Sequence, residues 1–256
     1  MSKIISIVNQ KGGVGKTTTA VNLAAAMGIA GKKVLLVDAD PQGNSTSGFG
    51  INKREVMFSS YDLLIGSQRA ATATVTTTFK NVDIIPANMD LAGAEVELIS
   101  IENREFQLKR ALSLVRENYD YILIDCPPSL GLITINALTA CDTVMVPVQC
   151  EYYAMEGLSQ LMSSIRQIKR LYNSELELEG VVLTMYDGRL NLTHQVVDEL
   201  KKFFANKLYS TTIPRGVRLS EAPSYGMPIQ YYDKRSKGAK AYDELAREVI
   251  KRNGGR

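Results

Sequence analysis

The chain is poor in cysteine, has no apolar run long enough to cross a membrane, and carries no strong net charge of either sign. Its three cysteines, Cys126, Cys141 and Cys150, are odd in number and lack metal-type spacing. That argues against a disulfide framework and for free thiols in a reducing cytoplasm. No segment approaches the roughly 20 apolar residues that a spanning helix needs. The first residues, MSKIISIVNQ, run straight into glycines and lack the long apolar stretch and cleavage site of a leader. Internal repeats and long linkers are also missing. A length of 256 residues with 45% hydrophobic and 22% charged side chains therefore reads as one ordinary globular α/β domain, 1–256, with the tail 253–256 expected to fray.

Apolar, largely β-branched runs alternate with helical patterns. The strands expected are 3–9, 33–38, 82–86, 119–125, 142–148, 178–185 and 207–213. Helices are expected at 16–30, 89–100, 104–117, 130–140, 153–172, 191–206 and 238–252. The polar stretch 67–81 reads as a surface excursion. Such alternation predicts a doubly wound, mostly parallel sheet flanked by helices, with ligands at the carboxyl ends of strands.

QKGGVGKTTTA lies between the first strand and the first helix, the context that makes a glycine-rich motif credible. Gly12, Gly13 and Gly15 let the backbone around Lys11 and Val14 approach phosphates, with the helix N-terminus facing the anion. Lys16, expected in an exposed loop, should reach the β- and γ-phosphates. Thr17 should offer a hydroxyl to Mg²⁺, and Thr18 should serve the α-phosphate side. Two strands end in acids at the same edge: VDADPQGN supplies Asp38 and Asp40, and YILIDCPPS supplies Asp125. Sparse carboxylates suit Mg²⁺, which keeps several waters and takes other ligands from phosphates. The simpler reading of such acids is as caps of the following helices. A guanine-reading NKxD string is missing; the nearest string, Asn52-Lys53-Arg54-Glu55, ends in Glu and follows the wrong strand.

The net charge of +3 hides a gradient. Residues 1–150 carry 13 basic and 14 acidic residues, whereas 201–240 hold nine basic residues against Glu221 and Asp233, a net of +7. This excess suits an anionic partner or merely a solvated face.

KGGVGKTTT departs from the usual phosphate-loop pattern, with Gln10 and then Lys11 where its first glycine would stand. It resembles the deviant Walker A motif of the ParA/MinD/nitrogenase iron-protein class. VDADPQGN, DCPPSLGLITINAL, PVQCEYYAMEGL and IPRGVRLSEAPSYGMPI resemble the chromosomal ParA/Soj group, from Lys3 to about Arg252. The resemblance implies an ATP- and Mg²⁺-dependent ATPase with Lys11, Lys16 and Asp40 as catalytic residues. Lys11 would reach a partner subunit's phosphates across a nucleotide-sandwiched homodimer. Asp125 would hold Mg²⁺ through water, Asp38 would support its shell, and Met185 and Pro214 would wall the adenine. The family cycle adds non-specific double-stranded DNA binding by the dimer, hydrolysis stimulated by a ParB-type centromere-binding protein, and segregation or positioning of replication origins. In some members a replication initiator is a further partner. Arg189 and Arg218 match positions the family uses for DNA, and Lys201, Lys202, Lys234, Arg235, Lys237 and Lys240 are further candidates. With no arginine in the loop, intrinsic turnover should be slow. Because the loop starts at once, no operator-type reader is expected ahead of it. The implied location is the bacterial cytoplasm, on the nucleoid. The alternatives are a MinD-like membrane-cycling ATPase, an iron–sulfur protein, and a DNA scaffold that uses ATP only to dimerise. The MinD-like reading needs an amphipathic last helix with a basic face. Charges in 238–252 are balanced instead, so core packing is the expectation there.

Overall fold

The computed structural model describes residues 2–152 and 154–254. Eight strands form one sheet: β1 (Lys3–Ile7), β2 (Val34–Asp38), β3 (Val75–Thr76), β4 (Val82–Ile85), β5 (Tyr121–Asp125), β6 (Thr143–Gln149), β7 (Glu177–Tyr186) and β8 (Leu208–Pro214). Their order is β3-β4-β2-β5-β1-β6-β7-β8, and only β3 runs antiparallel to its neighbour. The helices in chain order are α1 (Lys16–Ile29), α2 (Asn44–Gly48), α3 (Ser60–Leu64), α4 (Ala70–Ala73), α5 (Leu91–Glu97) and α6 (Gln107–Ser113). They continue with α7 (Leu132–Ala140), α8 (Ala154–Leu171), α9 (Asn191–Phe204), α10 (Val217–Glu221), α11 (Ile229–Tyr232) and α12 (Lys237–Arg252).

Alternate strand residues feed two separate cores, as a period of two demands. Ile4, Leu35, Ile122 and Val144 face the layer that holds α3 to α9. Ile5, Leu36, Leu123 and Met145 face the layer of α1, α10, α11 and α12. β2 and β5 are covered on both faces and buried along their whole length, which is why each is apolar up to the aspartate that closes it. On α8, Leu158, Leu161, Ile165 and Ile168 repeat at helical spacing and are buried. Each contributes roughly 1.5–3 kcal/mol by leaving water.

The expected segment 67–81 is not a plain excursion: it holds α4, whose Ala70 and Ala73 are buried, and the edge strand β3. The expected helices 89–100 and 104–117 are broken, with 3-10 turns at Leu98–Ser100, Arg104–Phe106 and Arg116–Asn118. In the tail, Asn253 donates to Glu179 Oε1 at 2.8 Å and to Val249 O at 3.0 Å. Residues 255 and 256 lie outside the described residues, as does Tyr153 at the expected start of α8.

Candidate nucleotide site

The loop between β1 and α1 is clamped at its base and its apex. At the base, Asn9 Nδ2 donates to Pro147 O at 2.8 Å, and its Oδ1 accepts from Lys11 N at 3.0 Å. At the apex, Thr184 Oγ1 at the end of β7 donates to Val14 O at 2.8 Å. Gly15 caps α1 in the left-handed region, with φ 86°, where a side chain would be strained. Lys16 is 7% exposed rather than an exposed loop residue, because it opens α1 and folds back beneath the loop. Its Nζ donates to Lys11 O at 3.2 Å. Burial lowers its pKa, against the opposing pull of Asp125 and Asp40. A desolvated ammonium facing carboxylates is suited to a polyanionic ligand.

The parallel register places Asp38 directly beside Asp125. Both are fully buried, and burial raises both pKa values; the Asp38 carboxylate's field adds to the rise for Asp125, and that of Asp40 to the rise for Asp38. Asp38 is fully engaged: Oδ2 accepts from Thr46 N at 2.8 Å and Thr46 Oγ1 at 2.7 Å, while Oδ1 accepts from Asp40 N at 3.2 Å. Asp38 thus anchors the first turn of α2, as the capping alternative expects. Asp125 differs. Its Oδ2 accepts from Ser45 Oγ at 2.8 Å, and its Oδ1 is buried with no hydrogen-bond partner among the described residues. The Thr17 side chain also acts on this carboxylate, and a buried oxygen left open beside it and the phosphate loop fits a hydrated hard cation. Asp40 is 8% exposed, and its Oδ1 accepts from Gln42 N at 2.9 Å.

Two clefts share Gly15, Thr18 and Met185 and so form one trough. A cleft of about 560 Å³ is lined by the loop, Asp40, Pro127 and Pro128, and suits phosphates. The other, of about 370 Å³, is lined by Thr184, Met185, Pro214, Arg215 and Leu219, and suits a flat base. Met185 holds φ 49°, rare for a side chain of that size, at the junction. Lys11 stands half exposed on the rim and is ion-paired with Glu151, beyond β6.

The sequence reading singled out neither Ser45, Thr46 nor Glu151. The signal was present: hydroxyl residues a few positions after a strand-end Asp, and an acid just past an apolar strand. Nothing in the sequence pairs them with a particular partner. The cysteines are free, and burial raises all three pKa values, to about 12 for Cys141 and about 11 for Cys150.

The basic stretch 201–240 is not one surface. Lys201 and Lys202 sit in the last turn of α9, whose Val196 and Leu200 join the core layer of α8. That turn precedes β8 and lies toward the amino edge of the sheet. Arg218, Lys234, Arg235, Lys237 and Lys240 belong to the opposite layer. The C-terminal half of α12 bonds β8, with Glu248 accepting from Ser210 N at 3.0 Å and Arg252 donating to Leu208 O at 2.8 Å. Its first turn, with Lys237 and Lys240, therefore points toward the carboxyl edge, where Arg189 also lies. Arg189 forms a two-bond pair with Asp187, at 2.9 and 2.6 Å, which pulls the Asp187 pKa down to about 2. Arg218 pairs with Glu221 at 3.0 Å and with Asp233 at 3.8 Å.

A family model described as an AAA domain matches residues 2–178. The chain is 59% identical to the sporulation initiation inhibitor protein Soj of Bacillus subtilis, over 97% of this chain and 98% of that one. It belongs to the Soj/ParA family of chromosome-partitioning ATPases. Within this ParA-type family, the chromosome partitioning protein ParA of Myxococcus xanthus is 50% identical over 99% of this chain and 89% of its own. Among solved structures, a cobyrinic acid a,c-diamide synthase from Mycobacterium smegmatis, with bound ADP and magnesium, superposes with TM-score 0.86. Its identity is 37%, covering 100% of this chain and 97% of that one. The fold and the deviant loop are thus those of a P-loop ATPase, as the motifs imply.

Proposed function

We propose that this ParA-type chain hydrolyses ATP to drive partitioning. On this reading its ATP-bound dimer holds DNA without sequence preference and is released when a ParB-type protein stimulates hydrolysis. The observation that carries the reading is the convergence of Lys16, Thr17 and Asp40 on one trough, with Asp125 buried close enough to act on Lys16 and Thr17, and with Lys11 ion-paired to Glu151 beside the loop. Loop N–H groups and Lys16 bind the phosphates, and Met185 and Pro214 flank the base. Mg²⁺, when bound, neutralises charge on the β- and γ-phosphates. Thr17 and the free oxygen of Asp125 would hold it, with Asp38 behind them. Asp40 orients the attacking water, so positioning and charge supply most of the acceleration. Lys11 leaves Glu151 to reach the partner's phosphates, and hydrolysis waits for the dimer. A cytoplasmic, nucleoid-associated location follows from the DNA step.

A membrane-cycling alternative would need a free amphipathic helix. In α12, Ala241, Tyr242, Leu245, Ala246 and Val249 are buried against α1 and β8, so its apolar stripe is already occupied. Among the described residues no helix is long and apolar enough to cross a membrane.

The deciding experiment is the ATPase rate with and without duplex DNA and the cognate ParB-type protein, on wild type and Asp40→Ala. The expected result is slow basal turnover, stimulation by both additions together, and ATP-locked dimers of the variant in sizing chromatography. Unstimulated wild type, or a monomeric Asp40→Ala under conditions where wild type dimerises, would overturn the reading.

A further inference from the structure

We propose that Ser45 is a positioning residue for the divalent ion, acting through Asp125; this rests on the nucleotide-site reading above. Asp125 closes β5 and is fully buried beside Asp38, a second carboxylate in direct register. Two adjacent acids repel, and a free carboxyl would rotate away. Successive residues of α2 prevent this. Thr46 takes Asp38 with both its backbone N–H and its hydroxyl, and Ser45 takes Asp125 at 2.8 Å. In the ionised form that holds a cation, the Asp125 carboxylate can only accept, so Ser45 must donate. Fixing Oδ2 sets the plane of the carboxylate and leaves Oδ1, the atom without a partner, free to take a ligand next to Lys16 and Thr17, both of which this carboxylate acts on.

Ser45 is itself immobilised. It is fully buried, and the turn that delivers it is closed by Gly43 N donating to Asp40 O at 2.8 Å. The next residue locks the helix a second time, since Thr46 Oγ1 also accepts from Ala87 N at 2.9 Å. The hydroxyl is therefore held in place by the fold itself, without help from a ligand. It is a preorganised outer partner of a metal-holding carboxylate, the kind of group whose loss typically weakens metal affinity about 10–100-fold.

The test uses the full-length chain with ADP or a non-hydrolysable ATP analogue. Mg²⁺ is titrated by calorimetry, and Mn²⁺ by electron paramagnetic resonance. Nucleotide affinity in excess chelator and a thermal melt are recorded on the same samples. In Ser45→Ala the half-saturating Mg²⁺ concentration should rise about tenfold, with nucleotide affinity in chelator within about twofold of wild type. Ser45→Cys, which keeps the volume but weakens the donor, should shift the same way. Ser45→Thr, which keeps the hydroxyl, should restore most of the affinity. A purely structural serine would lower the melt and weaken nucleotide binding equally with and without the ion. That outcome, or a folded Ala or Cys variant with unshifted Mg²⁺ and Mn²⁺ dependence, overturns the proposal. Wild type that binds nucleotide with no dependence on the ion would instead overturn the site reading beneath it.

Discussion

At the scale of single residues the site stores a conflict. Asp38 and Asp125 sit side by side, both fully buried, and their raised pKa values mean that the folded state holds protons the unfolded chain has already released. The sign follows from linkage. Stability without nucleotide or metal falls as pH rises from the ordinary carboxylate range near 4 toward neutrality, because ionisation is easier in the unfolded chain. Asp125→Asn removes one of the two titrations and can still accept from Ser45. It should flatten that fall and raise stability at pH 7.5 by about 1 kcal/mol or more, while losing Mg²⁺-dependent nucleotide binding. Denaturant unfolding at pH 5 and pH 7.5, on both proteins without ligand, checks this. A pH dependence as steep as wild type would mean that Asp125 is not the group that titrates.

At the scale of elements, α2 is the piece that connects most of the site. Its first turn holds both strand-end acids, and its far end meets the 3-10 turn Ala222–Tyr225 through two glycines. Gly50 and Gly226 both have positive φ, at 73° and 63°. A Cβ on Gly226 would come within 2.6 Å of Gly50 Cα, which is backbone and cannot rotate aside. Gly226→Ala should therefore destabilise the fold by about 2 kcal/mol or more, from left-handed strain and displaced backbone. Gly12→Ala has open space around the new methyl and ordinary φ, so it should leave the denaturation midpoint nearly unchanged. Equal midpoints for the two variants would remove this contact from the account. The existence of α2 was not legible in the sequence: at five residues it is too short to display a helical period. The long helices α1, α8 and α9 were legible because each presents several turns of one buried stripe or a glycine-to-helix junction.

At the scale of the molecule, the proposed DNA surface divides according to the two layers. Arg189 and Arg218 are each already paired with a carboxylate on the surface, and such exposed pairs contribute little, so phosphates compete for them easily. Arg189→Glu and Arg218→Glu should each weaken ATP-dependent duplex binding alike for any sequence. Each should also reduce the salt slope by about one unit per contact and subunit. Lys201→Glu and Lys202→Glu lie on the other layer, toward the opposite edge, and should change neither quantity measurably. A salt titration of duplex binding with ATP and with ADP separates the cases. Equal losses across all four variants would mean that DNA is held by overall charge rather than by the carboxyl-edge surface.

The sequence alone determined the architecture and the chemistry of the loop. Apolar runs of strand length alternating with helical stripes leave few ways to bury both faces of a sheet, and Gly13, Gly15 and Lys16 before a helix have one obvious use. These are local signals, carried by neighbours in the chain. Tertiary structure decided what depends on distant partners. Asp38, besides its proposed support of the metal shell, became the anchor of α2 because Thr46 comes to it. Asp125 kept an open oxygen because Ser45 occupies only the other. Lys11 acquired Glu151, 140 residues away, as its resting partner. The basic excess of 201–240 split because α9 and α12 pack on opposite faces of one sheet, and charge counted along a chain carries no information about which face a helix will cover.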